Sequence, residues 1–318
     1  MTDKEAYGIF CDSHPELPLF LRPWWLDAVT LPDGKEWEVL LARNKQGGIE
    51  AVLPFVTGSK WGMRYVLTPQ LTQYTGVWIA DKAGESMTER LSREKKLQTD
   101  LIDRLEAMKP QLVDLKFAPA YTNWLPFYWA DYQQDTRYTY RIEDLRDIEK
   151  VYEQIDPVKK RHIRAAEKEL EVRFDMPAQD FYRLQCLQCN TRRQANVTSE
   201  ALVTRLIDSA REKNQGFVVS AGEPAGEVHA AYFIPYDGHM AYELISAIHP
   251  NHRTSGGSVL ALWYAIKKAS EVTKAFDFEG SMIEGVEHNN RQFGGTQTPY
   301  FHIFKRNKLI EFLDLCKK

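Results

Sequence analysis

Cysteine is scarce, at four residues in 318. Cys11 and Cys316 lie near the termini, and Cys186-Leu187-Gln188-Cys189 is a solitary CxxC. A structural zinc site needs a second pair, or histidines at suitable spacing, and no such cluster follows. The flanks, Phe181–Leu184 and Leu187, read as an amphipathic helix that carries both thiols on one face. Partly buried helix cysteines are the expectation, with no metal. An excess of one charge is missing too: a net charge of −3 excludes wholesale coating of nucleic acid and leaves room only for a local basic patch. Long apolar runs are absent. Near the best helix the longest is Val259–Ile266, far short of the roughly 20 residues that span a bilayer. Met1–Glu5 lacks the basic start and apolar stretch of a signal peptide, so the cytoplasm is the expected location.

What is present is α/β patterning, with mixed sheets expected. Trp37–Arg43 and Ile49–Val56 are strand-like and flank Asn44-Lys45-Gln46-Gly47-Gly48, a hairpin signal. Met63–Leu67 and Gly76–Ile79 follow as strands. A long helical stripe then runs through Met87, Leu91, Leu97, Leu101, Ile102, Leu105 and Met108, and Pro110 stops it. Leu112–Phe117 reads as a buried strand. The order recurs in the second half: Phe217–Ala221 and Glu227–Ile234 as a hairpin, Met240–Ile248 as a third strand, Val259–Ala269 as a helix, Ala275–Phe278 as a strand. Pro23–Val29 precedes the first set as a helix, and Phe181–Arg192 the second. The repetition predicts two similar units related by internal duplication, at residues 1–145 and 146–318. The short helical pattern Leu309–Leu315 would let the C-terminal segment pack back on the first unit.

Ligand chemistry concentrates in residues 227–295. The segment Arg253-Thr254-Ser255-Gly256-Gly257-Ser258 joins a strand to a helix. Small residues there leave backbone N–H groups aligned with the positive end of the helix dipole, a cradle for phosphate or carboxylate. His249 and His252 flank the loop at a spacing of three, but the local sequence offers no third metal ligand. Glu243, Asp277 and Glu279 are candidate bases. Asp277 and Glu279, two apart on a strand, would share a face, where one could act in a site or bind an arginine such as Arg291. Tyr242, Tyr264 and Tyr300 are candidate proton donors, although most aromatics must serve packing. Between the halves, Ile142–Leu170 is helical and charged, with Asp156-Pro157 as cap and first helical residue. Its Arg161 and Arg164 share a face, and either grip a polyanion or face solvent.

Together the two-fold repetition, the Arg253-x-x-Gly256-x-Ser258 loop and the Phe276–Ser281 strand end resemble the FemAB-like branch of the GNAT acyltransferases. Leu19–Val29 is similar to that branch's "P-x-W-L" segment, Lys160–Lys168 to its "R-x-x-I-R-K-A" helix, and Gln292–Gly295 to its closing "F-G" motif. The resemblance covers most of the chain, and the order and spacing of the motifs carry it. It implies a tandem GNAT fold and transfer of an acyl or aminoacyl group onto an amine: a small amine, an amino sugar or a cell-wall precursor peptide. The co-substrate is aminoacyl-tRNA in the Fem proteins and acyl-CoA in ordinary GNAT enzymes, with no tightly bound cofactor. On this resemblance Arg253 through Ser258 hold the donor, Glu243, Asp277, Glu279 and Arg291 are catalytic candidates, and Arg161, Arg164 and Tyr242 meet substrate. Ser258 stands where the loop motif usually has glycine or alanine. Asn290 stands where the Fem motif has lysine, three residues before its Phe-Gly. That departure motivates an alternative, a non-catalytic binding or assembly protein on the same scaffold.

Overall fold

Asn44 sets the first hairpin. Its side-chain oxygen accepts the backbone N–H groups of Gln46 at 3.0 Å and Gly48 at 2.9 Å, and Gly47 takes the left-handed conformation (φ 86°) that the turn needs. The turn closes β1 (Glu36–Arg43) antiparallel against β2 (Ile49–Lys60). β3 (Met63–Leu67) pairs antiparallel with β2 and parallel with β5 (Leu112–Lys116), while β4 (Trp78–Ile79) adds to β2. A parallel pair needs a long crossover, which includes α3 (Met87–Ala107). A reciprocal Ser86–Glu89 capping box starts α3, and the chain leaves it through Lys109 (φ 52°) just before Pro110. Of the expected apolar stripe, Leu97, Leu101, Ile102 and Leu105 are buried, but Met87 and Leu91 are 68% and 45% exposed. Only the later turns of α3 enter the core.

The computed structural model describes residues 2–191, 198–280 and 282–307. Two units emerge: the chain up to Arg137 together with the chain from Pro299, and Tyr138–Thr298. The first also holds α1 (Asp3–Ser13), α2 (Pro23–Thr30) and α4 (Leu125–Trp129). Before α2, the Arg22 guanidinium donates to the carbonyls of Cys11, His14, Pro15 and Leu17. Trp25 is fully buried and its Nε1 donates to Thr72 Oγ1 at 3.0 Å. Three strands escaped the sequence reading: β6 (Gln133–Ile142), β13 (Thr296–Arg306) and, in the second unit, β7 (Glu171–Arg173). β13 pairs with β5 from Lys116↔His302 to Leu112↔Arg306, which returns the chain to the first unit. The Leu309–Leu315 expectation, Cys316 and Ser281 lie outside the described residues.

In the second unit β7 (Glu171–Arg173), β8 (Gly216–Gly222) and β9 (Val228–Pro235) form an antiparallel sheet. The expected single strand Met240–Ile248 is in fact two. β10 (Met240–Tyr242) pairs parallel with β12 (Ala275–Asp277), whereas β11 (Ile245–Ile248) pairs antiparallel with β9. The break lies at Glu243 and Leu244: the Leu244 N–H turns back to the Tyr242 carbonyl, and the Glu243 N–H reaches the Asp277 carbonyl, both at 2.9 Å. Apolar residues resume at once with Leu244 and Ile245, so the composition of the segment does not mark the break. Helices α5 (Ile148–Gln154), α6 (Pro157–Ala166), α7 (Ala178–Thr191), α8 (Glu200–Glu212), α9 (Gly257–Ser270) and α10 (Glu284–Gln292) complete the unit. The core of this unit gathers Ile163 and Ala166 of α6, Leu260, Ala261 and Ile266 of α9, and Phe276, Phe278 and Phe293. The class is mixed α/β, and each unit contains a run of four strands, a helix and a strand: β1 to β4, α3 and β5 in the first, β8 to β11, α9 and β12 in the second.

Candidate functional site

Where β10 and β11 part, a carboxylate is held in an enclosed place. Glu243 Oε2 is buried and makes no hydrogen bond. Burial pushes its carboxyl up to about 8, against the opposing pull of the nearby Lys159 ammonium. Lys159 itself is lowered, first by burial, with Asp156 and Glu243 pulling the other way. Its Nζ donates to Asn289 Oδ1 at 2.6 Å and stands 5.5 Å from the centre of the Phe293 ring. Asn289 Nδ2 reaches Asn290 Oδ1 at 3.4 Å, and the buried Asn290 Nδ2 has no hydrogen-bond partner. A carboxyl raised to about 8, a cation and two amides thus belong to one polar cluster. Sequence reasoning named Glu243 but did not single out Lys159 or Asn289. Asn290 was the available signal, because the lysine missing from its position is matched by one that α6 brings beside Phe293.

α6 is placed by its own cap: the Asp156 carboxylate accepts the Val158 N–H at 2.7 Å. It meets α9 closely. A Cβ on Gly256 would lie 3.1 Å from Ala166 Cβ, and one on Gly257 would lie 2.8 Å from His229 Cβ. Gly256 is the N-cap of α9 in the left-handed region (φ 81°), so no side chain fills the helix entrance from that position. Ser255 Oγ accepts the Gly257 N–H at 3.2 Å and donates to the His252 carbonyl at 2.8 Å. Arg253 and Thr254 are exposed, and Ser258 is half-buried in the first turn. The six loop residues are therefore one turn and helix start.

The remaining candidates disperse. Asp277 is fully buried and spoken for: Arg141 Nε donates to its Oδ2 at 2.6 Å, the Glu279 N–H to Oδ1 at 2.8 Å, and Thr139 Oγ1 also to Oδ1. Arg141 comes from β6, so the arginine beside this carboxylate is not Arg291. β12 ends at Asp277 and Glu279 takes φ 54°, so the two acids do not share a strand face. Arg291 lies on α10, 3.1 Å from Glu287, and lines a pocket of about 430 Å³ with Asp156, Lys160 and His288. Glu287 also accepts from the Tyr140 hydroxyl at 2.6 Å. Tyr242 is buried within β10, whereas Arg161 and Arg164 are exposed on α6.

No family model matches the sequence, and no curated protein matches it. Solved structures do match. FemX superposes with a TM-score of 0.72 at 10% identity, over 95% of this chain and 96% of that one. A tandem GNAT protein from the clavulanic acid biosynthesis pathway, determined without AcCoA, gives 0.57 at 10% identity over 95% of each chain. L-PGS from Bacillus licheniformis gives 0.55 at 10% identity, over 91% of this chain and 90% of that one. At such identities the likeness establishes the fold alone, the one shared with FemX and the tandem GNAT protein.

Proposed function

We propose that this tandem GNAT chain is an N-acyltransferase or aminoacyltransferase that moves an acyl group from acyl-CoA or charged tRNA to an amine. Arg253–Ser258 hold the donor's phosphates against the α9 N-terminus. Glu243 takes a proton from the acceptor ammonium, and the amine nitrogen attacks the donor carbonyl. The new C–N bond forms as the C–S or C–O bond to the carrier breaks, and the leaving thiolate or ribose oxygen takes a proton. A base with a pKa near the working pH is effective in that first step. The reading is carried by Glu243, whose carboxyl burial raises to about 8 in the same unit as the glycine start of α9. Lys159 keeps the ionised form of Glu243 accessible.

Acetyl-CoA is the first donor to test, since the clavulanic-pathway neighbour is described by reference to it. A thermal shift with acetyl-CoA, CoA and a neutral-salt control is expected to show a specific rise. At about 100 times the dissociation constant the rise corresponds to roughly 2.7 kcal/mol. Gly256→Trp, which drives a large side chain toward Ala166 from a left-handed backbone, should abolish it. Binding and turnover that both survive this substitution would remove the donor site from the loop. A second reading, a binding protein without turnover, is favoured by Asn290 at the motif's lysine position; it expects the thermal shift with no acylation of any amine in a panel.

A further inference from the structure

The turn between β8 and β9 brings a third ligand, Glu227, to the two histidines that precede the α9 loop. One ligand atom each from Glu227, His249 and His252 lie within 4.8 Å of one another. Glu227 Oε2 stands 2.8 Å from His252 Nε2, and the His249 and His252 ring centres are 5.0 Å apart. Underneath lies His229, stacked face to face on His252 with centres 3.8 Å apart and planes 8° apart. His229 is only 5% exposed, and neither of its ring nitrogens makes a hydrogen bond. Glu223 Oε1 is 3.8 Å from its Nε2. A surface Glu–His pair alone contributes little, about 0–1 kcal/mol. It would explain neither the convergence of His249 nor an imidazole buried without partners, which is costly. We infer that Glu227, His249 and His252 form a site for a divalent first-row transition ion, with His229 and Glu223 beside it.

Two imidazoles and one carboxylate are the donor set that zinc and its neighbours take, and magnesium and calcium do not. Tetrahedral zinc ligands at roughly 2.0–2.2 Å from the ion stand about 3.3–3.6 Å apart, so binding parts Glu227 from His252, now 2.8 Å apart, and shortens any separation near 4.8 Å. The freedom exists, because Glu227 is exposed and both histidines are half-buried on a surface turn. The ion would also fasten that turn to the α9 loop, since the His252 carbonyl accepts both the Ser255 N–H at 3.1 Å and its hydroxyl. The assignment stands whether or not the chain transfers acyl groups.

The test uses the tag-free full chain, stripped with a chelator and titrated with zinc against a chromophoric competitor, then with cobalt to follow its visible absorption. The expected result is one ion per chain, with magnesium unable to displace it. Glu227→Gln, His249→Asn and His252→Asn should each weaken binding by at least the roughly tenfold that losing even an outer partner costs. His239→Asn, an exposed histidine outside the cluster, should leave it unchanged. All variants should melt like the parent without metal, so that lost binding is not lost fold. The inference is overturned by no binding at about 100 μM zinc. It is equally overturned by binding that survives all three substitutions, or that disappears in a Cys186→Ser/Cys189→Ser chain with the histidines intact.

Discussion

The two units treat their buried acids and histidines differently. In the first, such groups find partners, although Trp24 Nε1 and Thr75 Oγ1 there are buried without a hydrogen bond. His302 on β13 lies between Asp114 at 2.9 Å and Asp135 at 3.0 Å, Arg22 is spread over four carbonyls, and Trp25 reaches Thr72. Its cleft of about 310 Å³ is lined by Arg90, Arg93 and Glu94, and these too are paired, Arg90 with Glu94 and Arg93 with Glu85. In the second unit Glu243, Asn290 and His229 each keep a buried polar atom without a hydrogen bond. Satisfied networks fix a structure, whereas unsatisfied buried groups cost stability and are kept where a ligand or a proton can use them. The difference teaches where to look for chemistry in a duplicated fold.

That contrast can be broken by substitution. The largest effect is expected at Glu243. Glu243→Gln should lower kcat/KM by about 10²–10⁴-fold with little loss of fold. For the parent, kcat/KM should rise with pH through about 8 as the base ionises, and the variant should lack that rise. Stability moves the other way. A carboxyl raised from about 4.3 when unfolded favours the fold fully at low pH, and that contribution is lost as pH climbs through about 8. Urea denaturation across that range should therefore show the Gln variant gaining on the parent as pH rises.

Arg141→Ala comes next. It leaves Asp277 buried without its cation and should cost about 3–5 kcal/mol in urea denaturation. This separates a closed carboxylate of the second unit from the open one, because Asp277 would act on the fold rather than the reaction. His302→Asn probes the first unit and should cost about 1–3 kcal/mol, with turnover per folded molecule retained. Burial raises Asp114, but the hydrogen bond and charge of His302 outweigh it and hold the carboxyl below its ordinary range. Its contribution is thus present above about pH 4 and lost as pH falls through the lowered value, and His302→Asn should flatten that acid limb. The smallest effect is expected for Asp156→Ala, about 1 kcal/mol from losing the α6 cap, read as a shift in denaturation midpoint.

Much of the fold was legible because it is local. The Asn44–Gly48 turn, the stop at Pro110, the Asp156 cap and the Gly256–Gly257 start of α9 depend on hydrogen bonds and dihedrals spanning a few residues. Amino-acid order alone settles such choices. Glu243 could be named as an acid on a strand, but its raised pKa could not, because burial is a property of what surrounds it. The partner of Asp277 lies 136 residues away on a strand that the periodicity did not mark, and Glu227 meets His252 across 25 residues. The division of Met240–Ile248 between two partner strands likewise depends on which neighbours compete for its backbone. The sequence by itself therefore determined most of the elements, their order and the glycine start of α9. Only the tertiary structure decided which carboxylate stays open, which lysine stands beside Phe293 and which acid joins the histidines, since those are outcomes of packing and desolvation between segments distant in the chain.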